Sequence, residues 1–291
     1  SPFQGIGNGT TFLDVDLDGF EDLLVVNGMP FNVQDRDTLD RIRSFGKQTP
    51  EHSRTNLLLY PPLLSPNVAF RNRGDLTFED ASAPWGFDSR QISQGVALAD
   101  LDNDGDLDLA INGLNASPLL YRNDATAPRV AVRLRGQDLN RQGIGSLIRV
   151  LGGASPRQMQ EIVCGGYYLS GHDPVRVFAA GSLTNRLAME VTWRSGRRSV
   201  LEEVRPNRLY EIDEAAAGEV QGPRSKVQGP ETASPFTSHV SRATPLFKDV
   251  SDRLSHTHHE ELFNDFGRQP LLTKLLSQLG VEVAERHFGE V

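Results

Sequence analysis

An all-β fold is what this sequence predicts, and three observations predict it. Two acidic loops of identical spacing each run into a short apolar stretch with β-branched residues, Asp22-Leu-Leu-Val-Val and Asp108-Leu-Ala-Ile, and both stretches stop at Asn-Gly. The landmarks around those loops recur along the chain as an internal repeat. From about residue 128 the texture changes to short alternating segments punctuated by Gly, Asn, Asp and Ser, as in a β-sandwich.

The first element opens on Gly5-Ile6-Gly7-Asn8-Gly9. It lacks the G-x-G-x-x-G spacing and the following helix of a dinucleotide-binding turn, so it does not read as a nucleotide site. It leads into Asp14 to Asp22 (DVDLDGFED), and the related stretch Asp100 to Asp108 is DLDNDGDLD; each holds five acidic residues and no Lys or Arg. The chain has 38 acidic and 30 basic residues, a net charge of -8; taking away those ten acids leaves 28 against 30. The excess charge therefore lies in two loops, and carboxylates crowded so closely repel one another unless a cation sits among them.

Both loops read D-x-D-x-D-G-x-x-D, with carboxylates at positions 1, 3, 5 and 9 and a Gly at the sharp turn. A hard oxygen shell of this kind suits Ca²⁺ better than Mg²⁺, which wants a strict octahedron and keeps its waters. The expected ligands in the first loop are Asp14, Asp16, Asp18 and Asp22 with the Phe20 carbonyl. In the second they are Asp100, Asp102, Asp104 and Asp108 with the Asp106 carbonyl, the Asp106 side chain pointing away. An EF-hand would need Glu at position 12 and helices on both sides, whereas position 12 is Val25 or Ile111 and the flanks read as strand.

Gly9 and Gly95 each stand five residues before the first Asp, Asn27-Gly28 and Asn112-Gly113 close the next strand, and Phe70-Arg71-Asn72 and Tyr121-Arg122-Asn123 follow. The first copy carries an insertion at about 29–65, in which Leu39, Ile42 and Phe45 predict a short helix ahead of the Pro-rich LLLYPPLLSP. Insertions of this kind in β repeats are usually loops on one face, sometimes the binding face.

With Gly74-Asp75-Leu76-Thr77-Phe78-Glu79-Asp80 added, the pattern resembles the FG-GAP/VCBS repeats of integrin-α-like β-propellers. That resemblance implies that residues 1–127 form about two propeller blades, each with a calcium loop joining two strands, and that further blades lie outside this chain, since a propeller needs about four or more to close. Residues 128–214 offer strand-like segments at Val130, Leu147, Met159, Arg176, Met189, Ser199 and Leu209. The order Asn140-Arg-Gln-Gly-Ile-Gly, Gly165-Gly-Tyr-Tyr-Leu-Ser, Val191-Thr-Trp-Arg-Ser-Gly and Pro206-Asn-Arg-Leu-Tyr is similar to the ASPIC/UnbV domain, which follows VCBS repeats in many secreted proteins. Trp193 is expected in the sandwich core beside a Ser195-Gly196 hairpin turn, and Cys164, at the end of an apolar strand, as a buried thiol.

Residues 215–244 read as a flexible linker rich in Gly, Pro, Ser and Ala. Residues 245–291 read as the truncated start of a further repeat unit, with a helical apolar face at Leu271, Leu272, Leu275, Leu276 and Leu279. The cluster His256 to Glu261 lacks the H-E-x-x-H spacing of a zinc protease, and neither a nucleophile elbow nor another catalytic constellation is found.

One Cys excludes an intrachain disulfide framework, no basic excess is available for nucleic acid, and no apolar run approaches the roughly 20 residues of a membrane helix. The expectation is a non-enzymatic, calcium-stabilised interaction or adhesion module with a protein or glycan partner. By resemblance it is secreted, extracellular or part of a bacterial cell envelope. An accessory or catalytic component of polysaccharide or secondary metabolism stands as the alternative, its active site lying outside this chain.

Overall fold

The computed structural model describes residues 7–46, 50–114, 116–165, 167–218, 232–235 and 246–254. Among these residues the fold is all-β, built from four four-stranded sheets. The predicted helix at 271–279 and the cluster at 256–261 lie outside the described residues.

The first blade is an antiparallel meander of β1 (Gly7–Leu13), β2 (Asp22–Asn27), β3 (Val68–Asn72) and β4 (Phe78–Asp80). The acidic loop joins β1 to β2, and the insertion joins β2 to β3 at the opposite end of the blade. Within the insertion lie α1 (Arg36–Ser44) and α2 (Pro50–Leu57). Helix α1 starts where the Asp35 carboxylate accepts from the Thr38 amide, with Arg41 and Arg43 set against the dipole in its last turn, and it buries none of its side chains.

After α3 (Ser82–Trp85), the second blade repeats the plan with β5 (Ser93–Ala99), β6 (Asp108–Gly113) and β7 (Leu119–Asn123). Between β7 and its fourth strand the chain makes a sandwich: β8 (Arg129–Arg135), β9 (Leu147–Leu151), β10 (Arg157–Glu161), β11 (Arg176–Ala179), β12 (Leu187–Thr192), β13 (Arg198–Val204) and β14 (Arg208–Asp213). Its sheets are ordered β10-β9-β12-β13 and β11-β8-β14-β15, where β15 is Thr232–Pro235. The stretch expected as a linker thus supplies an edge strand, pairing antiparallel with β14, whose backbone groups would otherwise face solvent.

The last described strand, β16 (Phe247–Asp249), corrects the reading of this segment as the start of a new unit. It completes the second blade, pairing with β7 as Phe247↔Asn123, Lys248↔Arg122 and Asp249↔Tyr121. The register is that of the first blade, where Phe78↔Asn72, Glu79↔Arg71 and Asp80↔Phe70. The turn that follows is also reproduced: Ser82 Oγ donates to Asp80 and Ser251 Oγ to Asp249. The free edge of β7 and an aromatic pocket draw the strand in, since Phe247 lies 5.8 Å from Phe87 and 6.1 Å from Tyr121, ring centre to ring centre.

Two cores result. One lies inside the sandwich, where Trp193 is buried and its indole N–H donates to Ser199 Oγ at 3.0 Å, with Gly196 at φ 86° in the β12–β13 turn. The other runs between the blades and extends into Ala131, Val175, Val177 and Ala179 of the sandwich, which therefore packs on the repeat. Cys164 corrects the expectation of a buried thiol: β10 ends at Glu161 on a sheet edge, Ile162 turns inward, and Cys164 follows in an exposed bend.

Candidate metal centre

Each acidic loop is shaped by its own carboxylates before any ion is considered. The position-1 acid accepts two amides across the turn: Asp14 from Asp18 and Gly19 at 2.9 Å each, and Asp100 from Asp104 and Gly105 at 3.1 and 3.0 Å. The position-9 acid ties the loop shut and to the third strand. Asp22 accepts from Val15 at 2.9 Å and Asn72 at 2.8 Å, and Asp108 from Leu101 and Asn123 at 2.8 Å each. The Asn of the repeated aromatic-Arg-Asn triplet thus clamps the loop through its backbone, a role that the sequence marked only as periodicity.

The turn needs left-handed backbone at two places, Leu17 (φ 57°) and Gly19 (φ 95°) in the first loop, Asn103 (φ 61°) and Gly105 (φ 90°) in the second. Gly and Asn adopt it at little cost. Leu17 is held there by burial in the core between the blades.

The structure brings Asp14, Asp16 and Asp18 together in the first loop, one oxygen of each within 4.8 Å of the others, and Asp100, Asp102 and Asp108 in the second. Asp22 falls outside the first group and Asp104 outside the second. Burial pushes the Asp14 carboxyl up to about 8 and Asp22 to about 7, neighbouring Asp charges adding to it. It likewise raises Asp100 to about 6 and Asp108 to about 7. Asp16 Oδ1 is buried and accepts no hydrogen bond. Grouped, dehydrated, mutually repelling carboxylates with an oxygen left over are a donor set that fits a hard dication.

Cationic side chains that the sequence reading overlooked also meet these acids. Arg71, from β3 of the first blade, donates to Asp16 at 2.6 Å and Asp18 at 3.0 Å. Its repeat partner Arg122 turns mostly to Asp124, 2.7 Å away, with Asp102 at 3.9 Å. The second loop is met instead by Arg129, the first residue of the sandwich. Its Nε and Nη2 donate to the Asp104 carbonyl at 3.1 and 2.6 Å, and Nη2 also pairs with the Asp104 carboxylate at 2.9 Å. Asp106, 1% exposed, turns its carboxylate to the same guanidinium at 3.4 Å, and burial raises its carboxyl well above the usual range. Its side chain is absent from the grouped acids. The Phe20 side chain at the same position of the first loop is exposed.

The sandwich also covers the outer edge of β5. Ser170 Oγ donates to the Val96 carbonyl at 2.6 Å, the Asp173 amide to the Leu98 carbonyl at 2.9 Å, and the Leu98 amide to His172 Nδ1 at 3.1 Å. With Nδ1 accepting, the imidazole proton sits on Nε2, 3.1 Å from Thr11 Oγ1, and burial lowers the pKa of His172 to about 4. The repeated glycines mark the packing at this edge. A Cβ on Gly9 would lie 2.5 Å from the Gln94 carbonyl of β5, and one on Gly95 would lie 3.1 Å from the Leu169 carbonyl. The sandwich loop stands to the second blade as the second blade stands to the first.

Among the described residues no helix is long and apolar enough to cross a membrane. Comparison with known sequence families matches residues 57–111 to the FG-GAP-like repeat and residues 136–219 to ASPIC and UnbV. Cartilage acidic protein 1 of Homo sapiens is 44% identical over 69 residues, which is 23% of this chain and 10% of that protein. The matched stretch thus spans about a tenth of the relative's length.

Proposed function

We propose that this chain, which carries an FG-GAP-like repeat followed by an ASPIC/UnbV domain, is a calcium-binding, non-enzymatic interaction module that works outside the cytoplasm, secreted or on a cell envelope. The observation that carries the reading is the pair of carboxylate groups, Asp14, Asp16 and Asp18 and then Asp100, Asp102 and Asp108, set at equivalent turns of two blades. Asp22, Asp104 and the carbonyls of Phe20 and Asp106 complete the proposed shells. Calcium would supply the positive charge that buried carboxylates need. The chain's own work is to hold each loop in one shape, through Asp14 and Asp100 across the turn and Asp22 and Asp108 to the third strand. Loops of the weaker extracellular kind bind at about 0.1–1 mM, which matches an extracellular compartment. The relationship to cartilage acidic protein 1 supports the same setting.

A protein or glycan partner is proposed at the end of the first blade away from the metal loops. There the insertion exposes Phe45, Leu58 and Leu64, and a helix that buries none of its side chains. A thermal melt in millimolar Ca²⁺ and in excess chelator tests the metal part. A ligand selective for the folded state stabilises by about 2.7 kcal/mol at a hundredfold excess over Kd. A clear upward shift in Tm is expected, and identical melts would overturn the reading.

A further inference from the structure

We infer that the sandwich and the second metal loop are thermodynamically coupled through Arg129, so that calcium in that loop holds the sandwich on the repeat and the seated sandwich tightens the loop for calcium. The inference rests on the calcium reading above and extends it to the relation between the two units.

Arg129 reads the shape of the loop as well as its charge. Two of its nitrogens go to the Asp104 carbonyl, and Nη1 donates to the Ala125 carbonyl at 2.8 Å, so one buried guanidinium at the start of the sandwich binds main chain of the loop and of the segment that follows β7. The Asp104 carbonyl stands between Asn103 and Gly105, the two residues of the loop with left-handed backbone. It meets the guanidinium only while the turn is closed around its acids. The second loop is also tailored to this visitor. Where the first loop has the exposed Phe20, the second has buried Asp106, whose carboxylate lies among Asp104 and Asp108 with the Arg129 guanidinium 3.4 Å away as its near positive charge.

The first loop is different in kind. Its cation, Arg71, comes from its own blade and holds carboxylates only. Its contact with the sandwich is close packing of Gly19 against Ala154 and Ser155, with the Arg176 charge acting on Glu21. A shape-dependent grip shared by two units makes each event favour the other, and linkage requires the coupling to be equal in both directions.

Calorimetric titration of the full chain with Ca²⁺, the sites assigned with Asp16→Asn and Asp102→Asn, measures one direction. Arg129→Gln is expected to weaken the second loop by about 5- to 150-fold, the usual size of such coupling, and to leave the first nearly unchanged. Hydrogen exchange of segments 95–98 and 168–173 in the unaltered chain measures the other. Protection there rises with Ca²⁺, loses that rise in Asp102→Asn and keeps it in Asp16→Asn. If Arg129→Gln does not fold, the exchange experiment decides alone. Unchanged or tighter binding at the second loop of Arg129→Gln, or exchange indifferent to Ca²⁺, overturns the coupling while leaving the calcium reading intact. A chain that binds no Ca²⁺ overturns both.

Discussion

The two blades share a loop motif, an aromatic-Arg-Asn triplet and a fourth strand in the same register, yet their surroundings differ. In the second blade the face carrying Leu98, Leu109, Tyr121 and Phe247 is buried against the first. In the first blade the equivalent face carries Phe12, 57% exposed, and Phe78, 46% exposed. The same local code therefore gives a core surface in one copy and an open apolar surface in the other. What decides is the neighbour. The comparison separates what the repeat encodes for itself, which is the loop, the strands and the clamp, from what it borrows from the elements packed on it.

The sharpest way to break that comparison is to truncate the matched phenylalanines. Phe247, 1% exposed, fills the pocket of Phe87 and Tyr121, so Phe247→Ala should cost about 3–5 kcal/mol in denaturant unfolding. Phe78→Ala, at the same register position, should cost less than about 1 kcal/mol, because about half of its surface is already in water. Equal losses would mean that the open face of the first blade is covered in solution.

The pH response should come next in size. Asp14, Asp22, Asp100 and Asp108 have carboxyls raised by burial, to about 8, 7, 6 and 7. A raised acid contributes stability that is fully present below its unfolded pKa and is lost as pH rises through the folded value. In chelator, melts should therefore fall as pH rises from the ordinary carboxyl value of 3.8 towards about 8. Calcium needs the ionised carboxylates, so its added stability should grow over the same interval. His172 works in the opposite sense. Its pKa is depressed to about 4, so the stability it contributes is present above about 6.5 and is lost as pH falls towards 4. Between about pH 4 and 6.5 it therefore offsets part of the fall that the four acids cause, and a His172→Gln variant should fall more steeply there.

Much of this architecture was legible in the sequence because it rests on local periodicity. Seven sandwich strands were marked by alternation, and the strands that close at Asn27 and Asn112 by their apolar runs. The fourth strand of the second blade was not recognised, although Phe247-Lys-Asp-Val-Ser repeats the pattern of Phe78-Glu-Asp-Ala-Ser. More than a hundred residues of sandwich separate it from β7, and pairing over that distance leaves no periodic trace. The grouped acids Asp14, Asp16, Asp18, Asp100, Asp102 and Asp108 stood out through their spacing. Arg129 and His172 did not, since each acts on a residue of another element: Arg129 at the start of β8 and His172 in a loop before β11. Cys164 misled for a related reason. The apolar residues before it pointed to a strand that continues, whereas the strand ends at Glu161.

The smallest predicted effect sharpens the comparison most, because it concerns sign. Arg71, partly exposed, grips Asp16 and Asp18 through their carboxylates, the same oxygens that a cation in the first loop would use. Exposed or partly exposed ion pairs contribute about 0–1 kcal/mol, so Arg71→Gln should hardly move the melt in chelator. It should strengthen calcium binding at the first loop, since a competing positive charge is removed from the ligands. Arg129→Gln should do the reverse at the second loop, where the guanidinium also pairs with the Asp104 carboxylate but holds the Asp104 carbonyl with two nitrogens and so supports the turn. Two arginines at two copies of one motif would then act in opposite directions, one as a rival to the ion and one as a brace for its loop. Calorimetric titration of the two variants side by side reads both signs in one experiment, and a shared sign would mean that charge alone, without geometry, governs the two sites.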